Sequence, residues 1–148
     1  MRICFVGDSM VNGTGDPEFL GWVGRVLREE RTRHPELTGY NLGIRRDTSA
    51  DILARWSAEV TRRLPTEIEG RVVFSFGVND CVQEIDRAES LSNTVALLEE
   101  AKVRWQCSWS APCPSCPTTR VHEVPISIPP SPIFAERSAF RICRYSTD

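Results

Sequence analysis

Apolar and polar positions follow two alternating rhythms as far as about residue 104. Ile3-Cys4-Phe5-Val6 is a short unbroken apolar run and predicts a buried strand over Arg2 to Val6. Phe19, Trp22, Val23, Val26 and Leu27 then recur at helical spacing, which predicts an amphipathic helix. Asp16 is placed to cap it, Pro17 suits its first position, and Pro35 marks its end. Tyr40-Asn41-Leu42 reads as a second short strand running into Gly43. A second helix follows, with Ile52, Leu53, Trp56, Val60 and Leu64 as its inner stripe. Thr48 with Asp51 resembles a capping box at its start, and Pro65 stops it. Val72 to Phe76 is apolar enough for a third strand buried on both faces. The third helix is expected to turn Leu91, Val95, Leu98 and Ala101 inward.

Strands and helices in alternation imply an α/β fold, a parallel sheet between two helical layers. Functional loops in such sheets gather beyond the carboxyl ends of the strands. The segments around Ser9, Gly43 and Asn79 each fall at such an end, so they are expected to meet in one crevice.

After Trp105 neither period continues. Pro112, Pro114, Pro117, Pro125, Pro129, Pro130 and Pro132 crowd the last third, and a central strand cannot carry that proline load. The reading is therefore one α/β domain over 1–104 and an irregular or disordered tail over 105–148. A shift of reading frame offers an explanation for the change. From Gln106 onward, a one-nucleotide shift permits an apolar string such as Val-Leu-Met-Val-Gly-Pro-Leu-Pro, a buried strand followed by a loop. The expectation is a missing nucleotide near the Trp105 codon, with Asp148 before an out-of-frame stop.

Composition narrows the function classes. The 148-residue chain has 18 Lys and Arg against 20 Asp and Glu, a net charge of −2, so it has no electrostatic footprint for nucleic acid. No apolar run approaches a membrane span. The first strand begins almost at Met1, leaving no room for a signal peptide, so a cytoplasmic protein with mostly reduced thiols is expected.

The chemistry-bearing residues sit in the loops. Gly7 and Asp8 force a tight turn after the first strand and lift the Ser9 hydroxyl clear of the sheet, within reach of a substrate carbonyl. Gly7-Asp8-Ser9 with Asn12 and Gly13, then Asn41-Leu42-Gly43, then Gly77-Val78-Asn79-Asp80, resemble three sequence blocks of the SGNH hydrolases, also called GDSL esterases and lipases. The resemblance covers residues 1 to about 104 and implies a flavodoxin-like α/β/α fold, C-terminally incomplete. It implies that Ser9 is the nucleophile of ester cleavage through an acyl-enzyme. The N–H groups of Ser9 and Gly43 and the side-chain amide of Asn79 would form the oxyanion hole. Asp8, Gly77 and Asp80 would support that site, Asp8 as a turn former rather than a base. No metal or other cofactor is implied, and the partner is a small-molecule acyl ester.

The family's fourth block, Asp-x-x-His near the carboxyl end, is missing. The histidines are His34, beside Pro35, and His122, with no aspartate three residues before it. Catalysis is therefore expected to be impaired, since loss of a triad member leaves only about 10³–10⁴-fold acceleration over water. Two alternatives stand beside this reading. One is a non-catalytic remnant. The other is a small zinc protein using Cys107, Cys113, Cys116 and His122. Gly7, Gly13 and Gly15 lack dinucleotide spacing, and there is no Walker lysine, so a nucleotide-binding loop ranks below both. Arg45-Arg46 reads as a solvated pair next to the crevice.

Overall fold

The computed structural model describes residues 1–110. Its parallel sheet has the order β2-β1-β3-β4, with β1 at Arg2–Gly7, β2 at Thr38–Gly43, β3 at Gly70–Ser75 and β4 at Gln106–Ser110. The helices are α1 (Ser9–Asn12), α2 (Gly21–Arg33), α3 (Ser49–Arg63), α4 (Val78–Val82) and α5 (Arg87–Arg104). The chain steps outward from β1 to β2, then back across β1 to β3 and on to β4. Right-handed crossovers in that order must place α2 on one face and α3 with α5 on the other. The core divides accordingly. Cys4, Val6, Val72 and Phe74 of the sheet pack with Ile52, Trp56 and Val60 of α3 and Leu97, Leu98 and Ala101 of α5. On the opposite face Ile3 and Phe5 pack with Val11 of α1, Val23 of α2 and Leu37. The parallel sheet between helical layers expected from the sequence is therefore present. Val73 points to the α2 face and is only half-buried there, whereas Val72 and Phe74 beneath α3 and α5 are fully covered.

Local chemistry explains where the helices start. Thr48 and Asp51 form the expected reciprocal capping box of α3. Its hydrogen bonds, first those from the Thr48 backbone and hydroxyl, hold the Asp51 carboxyl below its ordinary range. The start of α2 differs from expectation. The helix begins at Gly21, four residues after Pro17, and Phe19 is 92% exposed rather than part of the inner stripe. Asp16 does serve the helix, because its carboxylate accepts from Gly21 N at 2.6 Å and pairs with Arg25, but it does so across a loop. The loop ends in Phe19 at φ 56°, which no helix accommodates.

Two further expectations shift. The buried stripe of α5 runs through Ser90, Thr94, Leu97, Leu98 and Ala101, leaving Leu91 and Val95 half-buried. Hydrogen bonding sets this rotation, since the Ser90 hydroxyl donates to buried Asp80. The segment beginning at residue 105 is also not irregular throughout. Gln106–Ser110 pair in parallel with β3 from Arg71 to Ser75, and Cys107 is buried beside Val72. Backbone hydrogen bonds to a preformed strand need no side-chain period, so these residues pair with β3 without one. The rest of that tail lies outside the described residues.

Cys4 and Cys107 are free and buried, while Cys81 is disulfide-bonded. Burial pushes the Cys4 thiol up to about 12, so it is inert packing. No described helix is long and apolar enough to cross a membrane.

Candidate active site

The switch point of the sheet lies between β1 and β3, where the order of connection reverses, and ligand crevices of open parallel sheets form there. Gly7 is the last residue of β1 and stands in register with both Gly43 of β2 and Ser75 of β3. The turns after these three strands therefore leave the sheet at one level.

Ser9 is the first residue of α1, half-buried, directly after the strand. Asp8 caps that helix, accepting from Met10 N at 2.8 Å. The short helix needs room that two glycines provide. A Cβ on Gly7 would lie 2.0 Å from Ser75 O and 2.5 Å from Val11 Cγ2. A Cβ on Gly43 would lie 2.2 Å from Asn12 N and 2.8 Å from Asp8 O. Gly43 is thus pressed against the turn that carries Ser9. Its own N–H donates to Asn41 Oδ1 at 3.0 Å, and Asn41 Nδ2 donates to Val11 O at 2.8 Å. Asn41 laces β2 to α1.

Gly77, at φ 118°, turns the chain from β3 into α4. Asn79 on that helix donates from Nδ2 to Asp47 O at 2.8 Å. Asp80 is 2% exposed, accepts from Ser49 N at 2.7 Å and from the Ser90 hydroxyl, and so ties α4 to α3 and α5.

Asp8 is the electrostatic oddity of the site. It is fully buried, and its second carboxylate oxygen has no hydrogen-bond partner among the described residues. Desolvation raises its pKa above the ordinary carboxylate value, against the Met10 hydrogen bond, and the nearby charges of Asp47 and Asp80 push the same way. A carboxyl with a raised folded pKa binds its proton more tightly when folded, so stability falls as pH rises from the unfolded value near 3.9 through the folded one. Asp8→Asn keeps the acceptor for Met10 N and removes the buried charge. Its stability relative to wild type is expected to climb as pH rises above about 4, the ordinary carboxylate value, and to level off once pH has passed the raised folded-state value. Urea unfolding across that range checks this; a constant difference would mean that Asp8 is not the titrating group.

Two residues without an expected role hold the site together. Arg55, half-buried on α3, donates from Nε to Asp47 Oδ2 at 2.6 Å and from Nη2 to Gly7 O and Leu42 O, each at 3.0 Å. Asp47 receives both Arg55 and Asn79. The available sequence signal was an arginine one turn along α3 from the capping box, with a lone aspartate just before that box. Arg45 and Arg46 are both exposed, Arg46 at φ 76°. His34 ends α2, and the chain re-enters the sheet from there with Thr38 N donating to Met1 O. It therefore lies at the amino edge of the sheet, across the strands from Ser9. His122, Cys113 and Cys116 lie outside the described residues. Among the described residues no group of His, Cys, Asp and Glu is arranged to hold a metal ion.

A parallel sheet switched at β1 and covered by helices on both faces defines an α/β/α architecture. The family model for GDSL-like lipases and acylhydrolases matches residues 5–141, and the chain belongs to that family, within the SGNH superfamily. The match runs past residue 104, where the sequence pattern breaks. Solved structures agree on the fold. TesA is 24% identical with a TM-score of 0.65, the alignment covering 75% of this chain and 59% of that one. The psychrotrophic esterase EstA from Pseudoalteromonas sp., inhibited by monoethylphosphonate, is 21% identical with a TM-score of 0.64, covering 78% and 63%. A lipolytic G-D-S-L family protein from Veillonella parvula DSM 2008 is 18% identical with a TM-score of 0.63, covering 74% and 57%. The chain thus spans about three fifths of the length of these relatives. No curated protein matches it.

Proposed function

We propose that this chain carries the nucleophile and oxyanion side of a serine ester hydrolase. The observation behind this reading is the common register of Gly7 with Gly43 and Ser75, which delivers the turns bearing Ser9, Gly43 and Asn79 to one edge of the sheet. Ser9 Oγ attacks the ester carbonyl, the alcohol leaves, and water releases the acyl group from the serine. The oxyanion is held by Ser9 N–H and the Asn79 amide. That amide has two N–H donors, one anchored on Asp47 O and one left for the substrate. Each such donor supplies roughly 3 kcal/mol of transition-state stabilisation. Gly43 N–H joins them only when Asn41 Oδ1 releases it.

The base is the weak link. His34 is at the wrong edge of the sheet, and the sequence has no Asp-x-x-His, so turnover is slow relative to an intact triad. The substrate is a small acyl ester, in keeping with the family. The test is p-nitrophenyl acetate hydrolysis together with labelling by an alkylphosphonate ester, chosen because the Pseudoalteromonas esterase is inhibited by monoethylphosphonate. Wild type is expected to release p-nitrophenol and take up one phosphonyl group, and Ser9→Ala to do neither. Equal release by both proteins would remove Ser9 from the chemistry.

A further inference from the structure

Arg55 fastens all three loops of the site with one planar group. Its side chain is 18% exposed. Nη2 reaches the carbonyl of Gly7, which precedes the Asp8-Ser9 turn, and the carbonyl of Leu42, which precedes Gly43. Nε reaches Asp47, whose backbone carbonyl in turn holds the amide of Asn79. Nη1 donates to Glu59 Oε1 at 2.9 Å, one turn further along α3, which braces the guanidinium from behind. The fork therefore spans from the nucleophile turn to the oxyanion amide. These partners diverge around the guanidinium plane, and a single ammonium on a flexible stem cannot meet them together.

We propose that Arg55 is a positioning residue for acyl transfer, setting the distance between the Ser9 turn and the Asn79 amide without touching substrate. The inference rests on the serine hydrolase reading above and adds a residue to it. Positioning matters at this scale because a misplacement of about 1 Å can cost about 100-fold in rate. Asp47 is the other half of the device, since it carries the Arg55 contact on its side chain and the Asn79 contact on its backbone.

The experiment uses the full chain, ¹⁵N-labelled, as wild type, Arg55→Lys and Arg71→Lys. Arg71 pairs with Glu69 at the amino edge of the sheet and serves as the control. Two readouts are taken: the side-chain amide resonances of Asn79, and kcat and KM with p-nitrophenyl acetate. Arg55→Lys is expected to shift the Asn79 resonances, speed their exchange with solvent and lower kcat by at least about tenfold. KM is expected to stay within about twofold, because the ground-state contacts are untouched. Arg71→Lys changes neither readout. If Arg55→Lys fails to fold, Asp47→Asn carries the comparison, since it weakens the Arg55 anchor and keeps the carbonyl that Asn79 uses. An active wild type with unchanged Asn79 resonances and unchanged kcat in these variants would overturn the role of Arg55 alone. A wild type with no Ser9-dependent turnover would overturn it together with the hydrolase reading.

Discussion

Gly43→Ala is expected to unseat the nucleophile turn and destabilise the protein by more than about 2 kcal/mol. The added methyl would meet Asn12 N at 2.2 Å, Asn12 Cα at 2.7 Å and Asp8 O at 2.8 Å. These are backbone atoms of the Ser9 turn, so no rotamer change relieves the contact. Either the end of β2 or α1 must move, and the lacing through Asn41 moves with it. The substitution also separates two roles for this glycine. Alanine keeps the backbone N–H, so a glycine needed only as a hydrogen-bond donor tolerates it. One needed for close approach does not. Urea unfolding and the rate of phosphonate labelling at Ser9 measure both effects. A variant as stable and as reactive as wild type would show that α1 does not rest on β2.

Trp56→Ala is expected to cost about 3–5 kcal/mol. Trp56 is fully buried between the sheet and α5, with its ring edge-on to Phe74 at 5.3 Å and to Trp105 at 5.9 Å. Removing it opens a cavity that the α3 helix, pinned by its capping box and by Arg55, cannot close. A domain of this kind has about 5–15 kcal/mol in total, so the loss is a large share. Trp56→Phe is expected to cost much less. The indole Nε1 is buried without a hydrogen-bond partner among the described residues, so phenylalanine also removes an unsatisfied donor. Thermal unfolding of the two variants checks the order. Equal losses would mean that the cavity left by the ring is not what the alanine variant pays for.

Much of the fold could be read from the chain. The apolar run Ile3 to Val6, the stripe from Ile52 to Leu64 and the Thr48–Asp51 box are local signals, and the structure bears each of them out. Local signals failed where a partner distant in sequence set the outcome. Helix α5 turns toward Ser90 and Thr94 because buried Asp80 takes the Ser90 hydroxyl, although Leu91 and Val95 are the more apolar pair. Phe19 has the right spacing for a buried stripe but sits in a loop held by Asp16 and Arg25. Residues 106–110 lack strand periodicity and pair because β3 offers a free edge.

The site divides in the same way. The sequence alone determined that a serine, a glycine and an asparagine would each follow a strand of a parallel sheet, because strand ends are marked by apolar runs that stop at small and polar residues. Only the tertiary structure decided how those turns are held. Arg55 to Gly7, Leu42 and Asp47, Asn41 to Val11, and Asn79 to Asp47 are contacts between elements far apart in the chain. Such contacts depend on the register of strands and the rotation of helices, and no periodicity along a single segment encodes either.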